Sequence, residues 1–367
     1  MSRMSVDAAG PVLPPGHTAY TPGPDDLGDL ARLLRRHERE ARGWPGADSE
    51  TVAAEVTGRG ATTHLHETVR DRDGVLRAWI NCHDRAAGRV LVGVTVDPDL
   101  PDAQADPLAL YGFARAQDLG REVLRRRGMA QTQLDSGAYA DDPRQQRWLA
   151  AAGYEHTRNW WQMVRPVDPA SDLEHPPLRQ GVEIRRVRRD DGVGMPDEAD
   201  LHAVHDVLEH SFADHFNSYR ETFEEFLGRL REDPGHRWDH WWLATVDGQP
   251  AGALVAVTVT MPVSDDGVAQ PDSSYVEYIG VHRLARGRGV AKGLLRTVIA
   301  DAAARGRASV GLEVDADSPT GADGLYLSMG WRTRYTTQSW HRTLNPPTDR
   351  AAGSGSEERI TPGGRAS

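Results

Sequence analysis

One cysteine, Cys82, is all that 367 residues contain. A disulfide framework is therefore excluded, as is a zinc site built from several thiolates. Long apolar runs are also missing. No stretch reaches the roughly 18–20 apolar residues that a spanning helix needs, so no membrane contact is expected. The opening MSRMSVDAAGPVLPPG has no apolar core, so no secretory signal is expected and a reducing, cytoplasmic setting fits best. Positive charge is in deficit: 43 Lys and Arg stand against 54 Asp and Glu, a net charge of −11. A basic footprint for nucleic acid is absent, and cationic partners such as amines are favoured weakly.

What is present is an internal repeat. Pro- and Gly-rich residues 1–16 and the polar stretch 346–367 read as disordered tails, and 166–181, with four prolines, reads as a linker. The units between them, 17–165 and 182–345, follow the same order. Each opens with an amphipathic helix (Asp25 to Leu34; Asp197 to Leu208). A strand follows (Val90 to Val96; Tyr275 to Val281), then a helix ending near glycine (Gly128; Gly306) and a second strand. Each unit closes on a short helix with a Gly-aromatic ending, Gly153-Tyr154 or Gly330-Trp331, and an aromatic strand. Trp242–Val246 and Ala251–Thr258 flank Asp247-Gly248, a hairpin signal. The fold class is α/β, a mixed and mostly antiparallel sheet flanked by helices, built twice.

The sharpest local signal is Arg286-Gly287-Arg288-Gly289-Val290-Ala291, between a strand and a helix. Two glycines allow close backbone approach, and the following helix offers unpaired N–H groups, a combination that binds phosphate oxygens. Taken alone, the stretch also reads as a solvated turn. It is neither a G-x-x-x-x-G-K-[ST] loop nor a G-x-G-x-x-G loop.

Arg286-x-x-Gly289-x-Ala291 after a strand resembles the [QR]-x-x-G-x-[GA] acyl-CoA loop of the GNAT N-acetyltransferases. Ala322 to Trp331, with Leu325-Tyr326 and Gly330-Trp331, resembles that family's N-x-x-[GA]-x-x-L-Y-x-x-x-G-[FW] segment. Ser318 takes the Asn position only if one extra residue precedes Ala322. The whole chain resembles the tandem two-domain actinobacterial members. The resemblance implies acetyl-CoA as donor, with its pyrophosphate on residues 286–291. It places the pantetheine along Ile279, Gly280 and Val281, and the thioester carbonyl on the Val281 amide.

Direct acetyl transfer to an amine needs a base, an oxyanion donor and an acid for the thiolate. Strand alternation puts Tyr275, Glu277, Ile279 and Val281 on one face, which nominates Glu277 as base. A surface carboxylate is the bland alternative. Tyr326 is nominated as acid because a phenol suits a thiolate and its position matches the family's tyrosine; it also reads as a core tyrosine. Asp214, Glu313 and Asp315 are the candidates for holding the acceptor. His64/His66 and a helical pair His236/His240 lack the further ligands a metal needs, so no metal is expected.

Offset by 185, Arg286, Gly289 and Ala291 fall on Pro101, Gln104 and Asp106; offset by 177, Tyr326 falls on Leu149. Asp102 and Asp106 would repel a pyrophosphate, so the first unit reads as degenerate and the second as active. The resulting expectation is a monomeric or homodimeric acetyl-CoA-dependent N-acetyltransferase acting on a small-molecule amine. The alternatives are a non-catalytic acyl-CoA sensor or partner-binding module, and a protein-lysine acetyltransferase.

Overall fold

The computed structural model describes residues 11–85, 89–174, 176–189, 194–212, 221–232, 236–260, 270–317 and 321–345. The first half runs β1 (Thr18–Tyr20), α1 (Leu27–Arg42), α2 (Ser49–Val56), β2 (His64–Arg70), β3 (Leu76–Asp84), β4 (Arg89–Val96), α3 (Asp102–Arg126), β5 (Thr132–Tyr139), α4 (Pro143–Ala151) and β6 (Glu155–Pro166). A short α5 (Pro169–Asp172) follows. The second half runs β7 (Val182–Arg186), α6 (Glu198–Phe212), α7 (Phe223–Glu232), β8 (His236–Val246), β9 (Gln249–Val259), β10 (Ser273–Val281), α8 (Val290–Ala304), β11 (Ser309–Asp315), α9 (Ala322–Ser328) and β12 (Arg332–Leu344). Apart from α5 and short 3-10 turns, the two halves have the same element order.

The twelve strands among the described residues join one sheet in the order β1-β2-β3-β4-β5-β12-β6-β11-β10-β9-β8-β7. That order is symmetric about the β12–β6 pair. The halves exchange their last strands: β6 pairs with β11 from Ser309–Pro166 to Asp315–Trp160, and β12 pairs with β5 from Thr337–Tyr139 to Leu344–Thr132. The Pro-rich stretch after β6 is docked. Arg165 grips Asp172 through two bonds of 2.7 Å, and Leu178 packs on the α8 core.

Apolar alternation explains the layers. In β9, Leu254 and Ala256 face the core around α8, while Ala253 and Val255 face the core around α6 and α7. α3 buries Leu108, Phe113, Ala116 and Val123 against β3 and β4 of the first half.

Two expectations are corrected. His236 and His240 do not share a helical face; both lie in strand β8, and His240 is fully buried. The helix starts also reset the comparison of the halves. Pro101 caps α3 and Gly289 caps α8, so Pro101 corresponds to Gly289 rather than to Arg286. Asp102 and Asp106 consequently lie inside α3, where Arg147 bridges them at 3.2 and 2.9 Å.

Candidate active site

The site begins where two parallel strands part. β10 and β11 pair only at Ser274–Val310, Tyr275–Gly311 and Val276–Leu312. β10 then continues to Val281 along β9, and β11 continues to Asp315 along β6. A wedge opens between them. The His282 amide donates to Ala251 on β9 at 2.9 Å. Adjacent residues of a strand direct their amides to opposite edges, so Val281 and Ile279 direct theirs into the wedge.

The expected alternation across Tyr275, Glu277, Ile279 and Val281 does not hold, because β10 carries a bulge. The register steps from Val276–Ala256 to Tyr278–Val255, and Glu277 is the extra residue. Val276, Ile279 and Val281 pack on the α8 side, while Tyr278 and Val255 pack on the α6/α7 side. In such a bulge the extra residue shares a side with the next one, which puts Glu277 with Tyr278. Burial raises the Tyr275 phenol, and the carboxylates of Glu313 and Glu277 raise it further, so both acids stand within electrostatic reach of Tyr275. Gly280 is where α6 comes closest: a Cβ there would lie 2.9 Å from Ser211 and 3.0 Å from Leu208.

On the α8 side, Tyr326 is 7% exposed and shares a core with Ile279, Val281, Ala285 and Val290. Its ring meets Trp331 edge-on at 6.0 Å. Burial pushes its phenol up to about 12, so it carries its proton at neutral pH. Glu277 and Tyr326 thus flank the wedge from opposite faces of the sheet.

At the mouth of the wedge, Gly287 and Gly289 take φ of 78° and 84°, a region that L side chains avoid. Gly289 caps α8, leaving the first helical amides at Val290, Ala291 and Lys292 without intrahelical acceptors. Arg286 and Lys292 are exposed beside them. Arg288 leans on Asp247 at 3.3 Å. Arg179, from the Pro-rich stretch, donates to the Gly287 carbonyl at 2.6 Å, and its Cδ lies 3.2 Å from where a Cβ of Gly289 would be. Helix-end amides, left-handed glycines and four cations form a donor set suited to a diphosphate.

The first half has the same strand parting, with β4 and β5 paired only at Arg89–Gln133, Val90–Leu134 and Leu91–Asp135. There the protein fills its own wedge. Ser136 donates to the Val92 carbonyl at 2.9 Å, and Gln145 of α4 donates to the Val94 carbonyl at 3.3 Å. β4 carries no bulge against β3. The loop into α3 is Asp97–Pro101, three residues shorter than His282–Gly289, and contains the fully buried Asp97, paired with Arg77 at 2.6 Å.

The acceptor candidates separate. Glu313 receives a hydrogen bond from Gln162, and burial raises its carboxyl above the ordinary range while that bond opposes the shift. Asp315 turns away into structure: it is 6% exposed, 3.5 Å from Arg158, and accepts the Asp317 amide at 2.9 Å. Asp214 and Ser318 lie outside the described residues. A cavity of about 480 Å³ reaches Tyr275, lined by Glu38, Arg42 and Trp44 of the first half and by Arg334 and Tyr335 of β12. Arg42 donates to the Tyr335 hydroxyl at 2.9 Å, and Arg334 stacks on Trp44 at 3.7 Å. Neither Arg179 nor the cavity residues Glu38, Arg42 and Trp44 are signalled locally in the sequence, since they arrive from distant segments.

The family model for the acetyltransferase (GNAT) family matches residues 202–331, from within α6 to the residue before β12. Mycothiol acetyltransferase of Salinispora arenicola is 30% identical over 312 residues, covering 84% of this chain and 90% of that protein. The chain belongs to the GNAT acetyltransferase family. As a member it is an N-acetyltransferase enzyme. Mycothiol acetyltransferase of Frankia alni is 26% identical over 86% of this chain and 91% of its own length. Among solved structures, a GCN5-related N-acetyltransferase from Sphaerobacter thermophilus superposes with a TM-score of 0.68 at 24% identity, covering 92% of this chain and 99% of that one. A tandem GNAT protein from the clavulanic acid biosynthesis pathway gives 0.62 at 15%, covering 90% and 99%. These two share the tandem fold. No helix among the described residues is long and apolar enough to cross a membrane.

Proposed function

We propose that this GNAT enzyme transfers the acetyl group of acetyl-CoA to a primary amine of a small molecule, by direct attack, in its second half. The observation that carries this reading is the contrast between the wedges. In the second half the Val281 amide faces an opening between a cationic glycine loop and two protonic side chains. In the first half Gln145 and Ser136 occupy the matching edge.

Acetyl-CoA, when bound, supplies an activated thioester. The amides of residues 289–292, with Arg286 and Arg179, hold the diphosphate. The edges of Ile279, Gly280 and Val281 hold the pantetheine, and the Val281 amide donates to the carbonyl oxygen as negative charge develops there. Glu277 takes the proton that an ammonium must lose before its nitrogen can attack. Tyr326 donates its proton toward the leaving sulfur from the opposite face. The curated relatives make a mycothiol-type acceptor the first to test.

The decisive experiment is thiol release from acetyl-CoA with a panel of small amines, for the wild type and Glu277→Gln. We expect turnover with a small amine and a loss of roughly 10²–10⁴-fold in kcat/KM for the variant, with acetyl-CoA binding retained. Tight acetyl-CoA binding without turnover of any amine would overturn the reading in favour of a sensor. Turnover confined to protein lysines would overturn the small-molecule acceptor.

A further inference from the structure

The first-half hairpin and helix α7 meet at a group of three potential metal ligands. His64 opens β2, and His83 is its cross-strand partner near the end of β3. Their rings stack with centroids 3.9 Å apart. Glu232 ends α7 in the second half, and its Oε2 lies 3.4 Å from His83 Nε2. One ligand atom from each residue falls within a 4.8 Å group.

Tetrahedral zinc, with bonds of roughly 2.0–2.1 Å, sets its ligand atoms about 3.3 Å apart. The His83–Glu232 separation already matches that edge. The surroundings are those of ligands held in place. His64 Nδ1 is 2.9 Å from the Gly60 carbonyl, and Thr63 Oγ1 donates to Glu232 Oε1 at 3.0 Å. A carbonyl on one imidazole nitrogen and a hydroxyl on one carboxylate oxygen are the outer contacts that orient metal ligands. Glu232 Oε2, the other carboxylate oxygen, is buried and faces His83 Nε2.

We propose that His64, His83 and Glu232 bind one zinc-class divalent ion that clamps α7 of the second half onto the β2–β3 hairpin of the first. Two imidazoles and one carboxylate suit zinc or cobalt rather than magnesium or calcium, which prefer all-oxygen ligands. The clamp bears on the acetyl-transfer site indirectly. α7 also carries Arg229, which donates to the Tyr278 hydroxyl at 2.8 Å beside the β10 bulge. The proposal shares no residue with the acetyl-transfer machinery and stands without it.

The test uses the full, tag-free chain. Metal-depleted protein is titrated with ZnCl₂, CoCl₂ and MgCl₂ by calorimetry, with the cobalt visible spectrum and thermal unfolding as independent readouts. We expect one equivalent of zinc or cobalt to bind, a four-coordinate cobalt absorption band, a higher Tm with zinc, and no response to magnesium. Glu232→Gln keeps the size and the Thr63 contact, and should weaken zinc binding at least tenfold. His83→Ala and His64→Ala should weaken it about a hundredfold; circular dichroism checks their fold, and Glu232→Gln carries the test if either fails to fold. Absence of stoichiometric binding to the wild type would overturn the proposal and leave His83–Glu232 as an ion pair only. Binding that survives all three substitutions would also overturn it, since the ion would then sit on other histidines.

Discussion

Tyr275 donates a hydrogen bond across 3.2 Å to the side-chain carbonyl of Gln162, a residue of the exchanged strand β6. The same Gln162 amide donates to Glu313 and, at 3.2 Å, to Thr337. One side chain from the first half thus ties together three strands of the second half at the base of the wedge.

Gln162→Leu should therefore destabilise the protein by about 1–3 kcal/mol, the cost of leaving buried polar partners without their bonds. The effect should depend on pH. Burial already raises the Glu313 carboxyl, and the Gln162 bond opposes that rise. Removing the bond lifts the folded-state pKa further above the unfolded value, so stability is lost as pH rises through it. Thermal unfolding at pH 5 and pH 8 should show the larger loss at pH 8.

Tyr326→Phe should lower kcat with little change in the KM for acetyl-CoA. The phenol is pushed up to about 12, so it is protonated throughout the working range. The ratio of wild-type to variant kcat should stay constant from pH 6 to pH 10. A ratio that collapses within that window would mean that the phenol titrates there.

Gly289→Ala places a side chain at φ 84°, costing about 1–2 kcal/mol of local strain, with its Cβ 3.2 Å from Arg179 Cδ. The KM for acetyl-CoA should rise roughly tenfold, equivalent to about 1.4 kcal/mol of binding, with kcat little changed. Gly287→Ala meets the same strain at φ 78° but no atom within 4 Å. Its smaller effect on KM would isolate the contribution of Arg179.

Calorimetry should find one acetyl-CoA per chain. Gln145→Ala removes the side chain that caps the Val94 carbonyl, yet it should create no second binding event, because the first-half loop still lacks glycines and contains Asp97. Two equivalents bound to the wild type would contradict the assignment of the second half.

Much of the fold was legible from periodicity. The strand read at Tyr275 to Val281 is observed at Ser273–Val281, and the helix through Val290 and Ala302 at Val290–Ala304. The loop was legible because its glycines meet a local backbone demand, the left-handed φ at 287 and 289. Glu277 was nominated on an alternation that the bulge breaks: an extra residue resets a period of two, and nothing in Val-Glu-Tyr announces it. His236 and His240 were misassigned because a four-residue spacing also fits a helix, whereas cross-strand pairing with β9 holds them in a strand. His83 and Glu232 could not be joined to His64, since 19 and 168 positions separate them.

The amino-acid sequence by itself determined the duplicated α/β order, the left-handed glycine loop at 286–291 and the short helix carrying Tyr326, because each rests on interactions between near neighbours in the chain. Tertiary structure alone decided that β6 and β12 change places, that Glu277 turns to the α6/α7 face, and that Gln145 fills the first wedge. Those outcomes depend on which strand edges find partners, a contest settled by backbone hydrogen bonding and packing between segments far apart in sequence.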